Sequence, residues 1–189
     1  MLQVYLTKGL SGSGKTTWAR EMVAQRPGKI KLVCKDDLRA MLDNGVFTRE
    51  NEEFVKDIRD AIIVAALSKG KDVIVADTNL DPVHERHIAN LIEQHGFKAT
   101  IVIKDFTHVP LETCITRDLQ RPQSVGKDVI LQQWHTYLIP APPAHNPKLS
   151  TVVICDLDGT LCLNDHRNPY DASTCDNDEL NLVAAAMLT

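Results

Sequence analysis

A glycine-rich segment near the start of the chain has the spacing of a phosphate-binding loop. The residues Gly9-Leu10-Ser11-Gly12-Ser13-Gly14-Lys15-Thr16 fit the pattern GxxxxGK[ST] directly after an apolar run. Glycines let consecutive backbone N–H groups face a phosphate, the lysine neutralises β and γ oxygens, and the hydroxyl binds Mg²⁺. We therefore predict an ATP and Mg²⁺ site, against the alternative of an ordinary glycine-rich turn. The predicted phosphate contacts are Gly9, Ser11, Gly12, Ser13, Gly14, Lys15 and Thr16, and Thr16 is also the predicted metal ligand.

An acidic residue, Asp77, follows the apolar run Val73–Ala76. In proteins with this type of loop, an acid at the end of such a strand can face the nucleotide and its metal ion. The alternative is that Asp77 is the N-cap of a following helix. The glycine-rich loop upstream favours the role in the site.

The segment Lys35-Asp36-Asp37-Leu38-Arg39 follows another apolar run. If it lies at the carboxyl edge of a parallel sheet, it opens into the ligand crevice. Asp36 could then take a proton from an attacking hydroxyl, while Arg39 holds an anionic group of the acceptor. The alternative is an N-cap acid, Asp36 or Asp37, with Arg39 on a solvated helix face.

Two arginines, Arg117 and Arg121, are four residues apart at the helical stretch Leu111–Leu119. This spacing predicts that they share one face, which would be strongly cationic. Such a pair could close as a lid over the transferring phosphoryl group. A solvated helix with two arginines there by chance is the alternative.

Apolar runs and helical patterns alternate along the chain, which predicts an α/β fold with a parallel sheet. In the longest predicted helix, Phe54, Ile58, Ala61, Ile62 and Ala65 form the predicted apolar face. The predicted strands are Leu2–Leu6, Lys31–Cys34, Asp72–Ala76, Ala99–Ile103 and Thr151–Cys155. The predicted helices are Thr16–Gln25, Glu50–Ser68, Pro82–His95 and Leu111–Leu119.

Composition indicates a folded globular protein, because 43% of the 189 residues are hydrophobic and 24% are charged. We expect neither a signal peptide nor a membrane span, since no apolar stretch reaches the roughly 18 residues that a span needs. Five scattered cysteines without a CxxC pair predict neither a disulfide framework nor a zinc site. These features favour a cytoplasmic location.

Charge and proline content change near residue 150. Residues 1–149 hold 20 Lys and Arg against 18 Asp and Glu, whereas residues 150–189 hold 1 against 7. Four of the nine prolines lie in Pro140–Ser150, which predicts a semi-rigid linker. We therefore expect one domain at 1–139, a linker at 140–150 and a second segment at 151–189. The weak positive charge of the first part predicts that any nucleic-acid contact is local.

Four motifs, GLSGSGKTTWARE, KDDLR, ADTNLDP with Arg86, and TRDLQR, together resemble the kinase domain of phage-type polynucleotide 5′-kinase/3′-phosphatases. This resemblance implies a P-loop fold with helices on both sheet faces and transfer of the ATP γ-phosphoryl group to 5′-hydroxyl ends of DNA or RNA. It also implies that Lys15 and Thr16 hold the phosphates and the metal, and that Asp36 is the general base. Arg39 would bind the acceptor phosphate, Asp77 would be an essential acid, and Arg121 would be the lid arginine, assisted by Arg117.

The apolar run Val152–Cys155 followed by Asp156-Leu157-Asp158-Gly159-Thr160 resembles the DxDGT signature of haloacid-dehalogenase-like phosphatases. Asp156 would attack a phosphoryl group, Asp158 would act as acid and base, and both would lie near Mg²⁺. Only 33 residues follow Asp156, whereas such a domain needs on the order of 100 or more. We expect a complete kinase domain joined to an incomplete phosphatase segment, without 3′-phosphatase activity of its own.

The function predicted from the sequence is ATP-dependent and Mg²⁺-dependent phosphorylation of 5′-hydroxyl polynucleotide ends in nucleic-acid repair. The expected partners are ATP and those ends, with no membrane, in the cytoplasm of the cell or of a phage host. Self-association into a homo-oligomer is left open. One alternative is a kinase for small molecules, and another is a nucleotide-binding module that transfers nothing.

Overall fold

A computed structural model of the chain describes residues 1–139, 162–163 and 179–186. The chain divides into two units, Met1–Ala141 and Pro142–Thr189. The first unit contains β1 (Leu2–Lys8), α1 (Lys15–Gln25), β2 (Ile30–Val33), α2 (Lys35–Asp43), α3 (Arg49–Ser68), β3 (Asp72–Val75), α4 (Pro82–Gln94), β4 (Ala99–Asp105), α5 (Leu111–Leu119) and α6 (Lys127–Tyr137). The described part of the second unit contains β5 (Cys162–Leu163), β6 (Glu179–Leu180) and α7 (Leu182–Ala186), with β5 and β6 paired antiparallel.

The first unit is built on a four-stranded sheet with the strand order β2-β3-β1-β4. All three strand pairs are parallel, with Val4 opposite Val73 and also opposite Ile101. Each connection is long enough to include a helix, as parallel pairing requires. The prediction of an α/β fold with a parallel sheet is therefore confirmed.

Helices cover both faces of this sheet. Val4 and Leu6 of β1 lie in one hydrophobic cluster with residues of α3 and α4. Tyr5, between them in sequence, packs with Ala19 of α1 on the other face. Since successive strand side chains point to opposite faces, this alternation explains why the strand sequences are almost continuously apolar.

A third cluster joins helices to the carboxyl edge of the sheet. Cys114 and Ile115 of α5 and Ile130 of α6 pack against Leu10 of the glycine-rich loop and Leu80 of the segment after β3. These contacts bury apolar side chains of both helices. They also place α5 and α6 beside the edge where β1, β2 and β3 end.

Most predicted elements are present, with ends that differ by one or two residues. α6 was not among the predicted helices. α2 was considered only in the alternative in which Asp36 or Asp37 is the N-cap of a helix. The predicted strand Thr151–Cys155 and the predicted linker Pro140–Ser150 lie outside the described residues. Among the described helices, none combines the length and apolar character that crossing a membrane requires. Cys34 and Cys114 are buried free thiols.

The predicted apolar face of α3 is confirmed at Ile58 and Ile62, which pack against the core, and wrong at Phe54, Ala61 and Ala65, which are exposed. The buried residues of the helix are Val55, Arg59, Ile63, Ala66 and Leu67. The most deeply buried stripe lies one residue beyond the predicted one, and a charged residue occupies its middle. That residue, Arg59, has its own partners in the site.

Candidate active site

The glycine-rich loop connects β1 to α1 and has a backbone conformation that requires glycine at particular positions. Gly12 and Gly14 have positive φ angles of 79° and 96°, which favour glycine. A Cβ added at Gly12 would lie 2.1 Å from the backbone oxygen of Cys114 in α5. The glycine at this position therefore permits close packing of the loop against α5, as the spacing of the motif requires.

The ammonium group of Lys15 lies inside this loop. Its Nζ donates to the carbonyl oxygens of Gly9 at 3.0 Å and Leu10 at 2.6 Å, and lies 3.5 Å from Ser13 Oγ. Burial lowers the pKa of Lys15 to about 8. The loop thus holds a desolvated cation at the N-terminus of α1, where a phosphate group would also meet the helix dipole.

Asp77 lies immediately after β3 and is buried. Its Oδ1 accepts a hydrogen bond of 2.8 Å from the backbone N–H of Lys35, the first residue of α2. Burial raises the pKa of Asp77, against the lowering effects of this hydrogen bond and of the Lys35 and Arg59 charges. The N-cap of α4 is Asp81, so the alternative that Asp77 is the N-cap of the next helix is wrong.

Asp36 and Arg39 lie one turn apart on α2, whose N-cap is Cys34 rather than either aspartate. Arg39 Nη1 donates to Asp36 Oδ1 at 2.6 Å, and its Nε and Nη2 donate to the two carboxylate oxygens of Glu52 at 2.8 and 2.9 Å. Only 18% of the Arg39 side chain is exposed, so it does not lie on a solvated face. The acid and the arginine are together as predicted, but the guanidinium is paired with two carboxylates.

Glu52 of α3 was not predicted from the sequence. It also accepts a hydrogen bond of 2.8 Å from Lys35 Nζ. Burial acts to raise the pKa of Glu52, but the hydrogen bonds from Lys35 and Arg39 outweigh burial and lower it. This carboxylate therefore fixes two cations at the start of α2 beside Asp36.

The two arginines near the end of α5 do not share a helix face. α5 ends at Leu119, and Arg121 lies in the turn that follows, with its guanidinium donating to Asp118. Arg117 is on α5 and lies close to the glycine-rich loop. A Cβ built on Gly14 would be 4.0 Å from its Nη1. Within the described residues Arg117 has no carboxylate partner, so it is the arginine whose charge faces the loop without neutralisation.

Asp118 organises the segment after α5 and was also not predicted. It is fully buried, and its Oδ2 accepts from Ser124 Oγ at 2.6 Å and from the backbone N–H groups of Val125 and Gly126 at 3.0 and 3.1 Å. Burial acts to raise the pKa of Asp118, but the hydrogen bonds from Ser124 and Arg121 lower it below its ordinary value. One carboxylate thereby holds the whole turn between α5 and α6.

The glycine-rich loop, the start of α2, Asp77 and the two arginines line a single open cleft of about 1650 Å³. From the loop it includes Ser11, Gly12, Gly14, Lys15 and Thr16. From the later segments it includes Asp36, Arg39, Asp77, Arg117 and Arg121. The predicted residues within 1–139 thus line one cleft, except Gly9 and Ser13, which contact Lys15 but are not part of the lining. Asp156 and Asp158 lie outside the described residues.

The cleft contains oxygen donors that suit Mg²⁺. Thr16 and Asp77 both line it, and Asp77 Oδ2 is, within the described residues, the buried side-chain atom without a hydrogen-bond partner. A carboxylate oxygen and a hydroxyl are hard ligands of the kind that Mg²⁺ prefers, usually together with waters and phosphate oxygens. The residues present therefore fit a magnesium ion that accompanies a bound nucleotide. The described residues contain no cluster of three or more His, Cys, Asp or Glu side chains that could hold a metal without other ligands.

Comparison with known proteins gives family matches for both parts of the chain. Residues 4–139 match the family described as AAA domain, and residues 150–189 match the phosphatase domain of polynucleotide kinase PNKP. A protein of Autographa californica nuclear polyhedrosis virus, which carries the name of a bifunctional polynucleotide kinase/RNA ligase, is 26% identical over 193 residues. That match covers 89% of this chain and 26% of the viral protein.

Two solved structures of the Pnkp1/Rnl/Hen1 complex, one described as an RNA repair complex, contain chains similar to this one. Their sequence identities are 28% and 29%, and their TM-scores are 0.59 and 0.53. Each match covers 99% of this chain and 66% or 64% of the other. The chain thus spans about a quarter of the viral relative and about two thirds of the chains in the complexes.

These matches confirm the resemblance to the polynucleotide kinase/phosphatase family that the motifs indicated. The matched ranges fall on either side of residues 140–149. Over residues 4–139, the chain belongs to the AAA domain family, with a phosphate-binding loop between its first strand and first helix.

Proposed function

We propose that this chain transfers the γ-phosphoryl group of ATP to 5′-hydroxyl ends of DNA or RNA. The observation that carries the proposal is that the phosphate-binding loop and the Asp36–Arg39 pair line one cleft. Its volume of about 1650 Å³ exceeds the roughly 300–1,000 Å³ of small-molecule sites, which leaves room for a nucleotide and a polymer end. The polynucleotide kinase and RNA repair names of the similar proteins support the same substrate class.

In the proposed reaction, Asp36 accepts the proton of the 5′-hydroxyl while that oxygen forms a bond to the γ-phosphorus. The bond from phosphorus to the β–γ bridging oxygen breaks, ADP leaves, and the proton remains on Asp36 until solvent removes it. Arg39 exchanges its contact with Asp36 for a phosphate of the acceptor, which is a charge-assisted pairing of equal kind. Asp36 and Arg39 would thus both contact the acceptor, one at its hydroxyl and the other at its phosphate.

The donor side is stabilised by cations of the loop and of α5. Lys15 exchanges the neutral carbonyl oxygens of Gly9 and Leu10 for phosphate oxygens, and Arg117 lies where it can reach the transferring group. Mg²⁺, held through Thr16 and Asp77, would neutralise charge on the β- and γ-phosphates. Arg121 is proposed as the lid arginine after release from Asp118.

Residues 150–189 resemble the PNKP phosphatase domain. The roles of Asp156 as nucleophile and Asp158 as acid and base, with Mg²⁺ nearby, stay predictions. A cytoplasmic location and self-association stay predictions as well.

The experiment that tests the function supplies γ-labelled ATP and Mg²⁺ with four acceptors. These are oligonucleotides with a 5′-hydroxyl, a 5′-phosphate or a 3′-phosphate end, and a free nucleoside. We expect label on the 5′-hydroxyl oligonucleotide, and on the 3′-phosphate oligonucleotide if its 5′ end is a hydroxyl. We expect no label on the 5′-phosphate oligonucleotide. Equal labelling of the nucleoside would indicate a kinase for small molecules, and ATP binding without acceptor-dependent ADP release would indicate a binding module. A Lys15→Met variant controls for contaminating kinases.

A further inference from the structure

Arg59 is a cation buried in the middle of α3. Its side chain is 4% exposed and lies on the same helix stripe as the core residues Val55 and Ile63. Removing a guanidinium from water without partners would cost several kcal/mol, so its partners explain its presence. The contacts of Arg59 are therefore informative about its role.

Arg59 lies between two carboxylates. Its Nε and Nη2 donate to Asp60 Oδ1 at 2.9 and 2.8 Å, and the other oxygen of Asp60 is 2.6 Å from His87 Nε2 of α4. The remaining nitrogen, Nη1, lies 3.8 Å from Asp77 Oδ2. One side of the guanidinium is thus fixed, and the other faces the acid at the end of β3.

The distance of 3.8 Å has a chemical consequence. It is too long for a hydrogen bond but short enough for strong attraction between opposite charges in a dry environment. Arg59 therefore attracts Asp77 Oδ2 without occupying its lone pairs. Lys35 N–H binds Oδ1, so both oxygens of the carboxylate are restrained while Oδ2 keeps its capacity to accept.

We propose that Arg59 is a positioning residue that holds the Asp77 carboxylate in place at the cleft, where it would bind Mg²⁺ or its bound water. The proposal rests on the proposed function for the identity of the ligand. A purely structural role, joining α3 to β3, is the competing explanation. The two explanations differ in whether the effect of Arg59 on nucleotide binding requires the Asp77 carboxylate.

A double-mutant cycle separates them. Four proteins are compared: wild type, Arg59→Met, Asp77→Asn and the double variant, with the exposed Lys56→Met on the same helix as a control. The affinity for ATP in the presence of Mg²⁺ is measured by calorimetry, and kcat/KM is measured with a 5′-hydroxyl oligonucleotide. Thermal unfolding of each variant is recorded alongside.

We expect Arg59→Met to weaken ATP affinity with Mg²⁺ at least fivefold in the wild-type background and less than twofold in the Asp77→Asn background. Arg59→Lys should recover part of the loss, because it keeps a positive charge near Oδ2. Equal losses in both backgrounds would overturn the proposal and leave a structural role. If Arg59→Met does not fold, the same cycle is run with Arg59→Gln, which removes the charge but keeps a hydrogen-bond donor.

The affinity measurement needs no acceptor. If wild type binds ATP but transfers nothing to the oligonucleotide, the proposed function fails while the affinity cycle still decides the role of Arg59. If transfer occurs and the cycle is additive, the positioning role fails alone.

Discussion

The buried carboxylate of Asp118 is expected to control the stability of the segment between α5 and α6. The substitution Asp118→Asn changes the shape of the side chain little but removes its charge and replaces one acceptor oxygen by a donor. Arg121, Ser124 and two backbone N–H groups all donate to this carboxylate, so an amide there leaves at least one donor without an acceptor.

The magnitude follows from these contacts. A hydrogen bond to a charged group contributes about 1.5–3 kcal/mol. Arg121 is 40% exposed, so solvent screens its ion pair with Asp118, which adds only about 0–1 kcal/mol. Asparagine keeps one acceptor oxygen, so we expect the free energy of unfolding to fall by about 3 kcal/mol. For a domain of this size, that loss corresponds to a Tm lower by roughly 10 °C.

The effect should also depend on pH with a defined sign. The pKa of Asp118 is below its ordinary value of 3.8, so its charged form stabilises the folded state above that value. The difference between wild type and Asp118→Asn should therefore be constant from pH 7 to pH 5. It should shrink only as the pH falls below about 3.8, towards the lowered pKa.

Guanidinium denaturation of both proteins measures this difference, and Asp57→Asn on an exposed position of α3 is the matched control. Within the described residues Asp57 makes no ion pair, so its substitution should change the free energy of unfolding by about 0.5 kcal/mol or less. A loss for Asp118→Asn as small as that of the control would refute the reasoning about the turn.

Three further predictions concern the cleft. Lys15→Met should abolish transfer without unfolding the protein, and a variant that keeps more than about a tenth of wild-type kcat would contradict the role of the loop, since tenfold is about 1.4 kcal/mol. Asp36→Asn should remove transfer while the Kd for ATP stays nearly unchanged, and a large loss of ATP binding would move Asp36 to the donor site. Glu52→Gln should raise the acceptor KM by releasing Arg39, as steady-state kinetics would show. It should also lower Tm at pH 7 by an amount that shrinks as the pH falls below 4.5, because the pKa of Glu52 is lowered from that value; a constant difference down to pH 3 would argue against its ion pairs.

The parts of the site that sequence alone predicts are those made of neighbouring residues. The phosphate-binding loop is contiguous from Gly9 to Thr16, so its spacing carries the geometry. Asp36 and Arg39 are one helical turn apart, and their contact follows once the helix is known. Asp77 follows from the position of an acid after a buried parallel strand.

The parts that could not be predicted are contacts between distant elements. Glu52 and Arg59 resemble ordinary charged residues of a solvated helix until α3 is packed against α2 and β3. One signal was present: Arg59 lies four residues from both Val55 and Ile63, on what becomes the buried stripe. The predicted face of α3 contains only apolar residues and therefore does not include Arg59.

The end of α5 shows the same limitation. The spacing of Arg117 and Arg121 fits a continued helix, but the helix stops at Leu119 because the following turn is held by Asp118. Asp118 follows the buried Cys114 and Ile115 at helical spacing. Its position on this apolar stripe was the feature of the sequence that could have indicated its burial. In both helices, a charged residue at an apolar position is buried and has several polar partners.

The pairing of Arg39 with Asp36 affects how well water can compete with a 5′-hydroxyl end for the phosphoryl group of ATP. Asp36 Oδ1 accepts a hydrogen bond from Arg39 Nη1 at 2.6 Å. A polynucleotide end brings a phosphate that can draw the guanidinium away and so release the carboxylate for proton transfer. A water molecule brings no such anion and leaves the pair closed. On the proposed function, the chain would therefore spend little ATP on hydrolysis while no nucleic-acid end is bound.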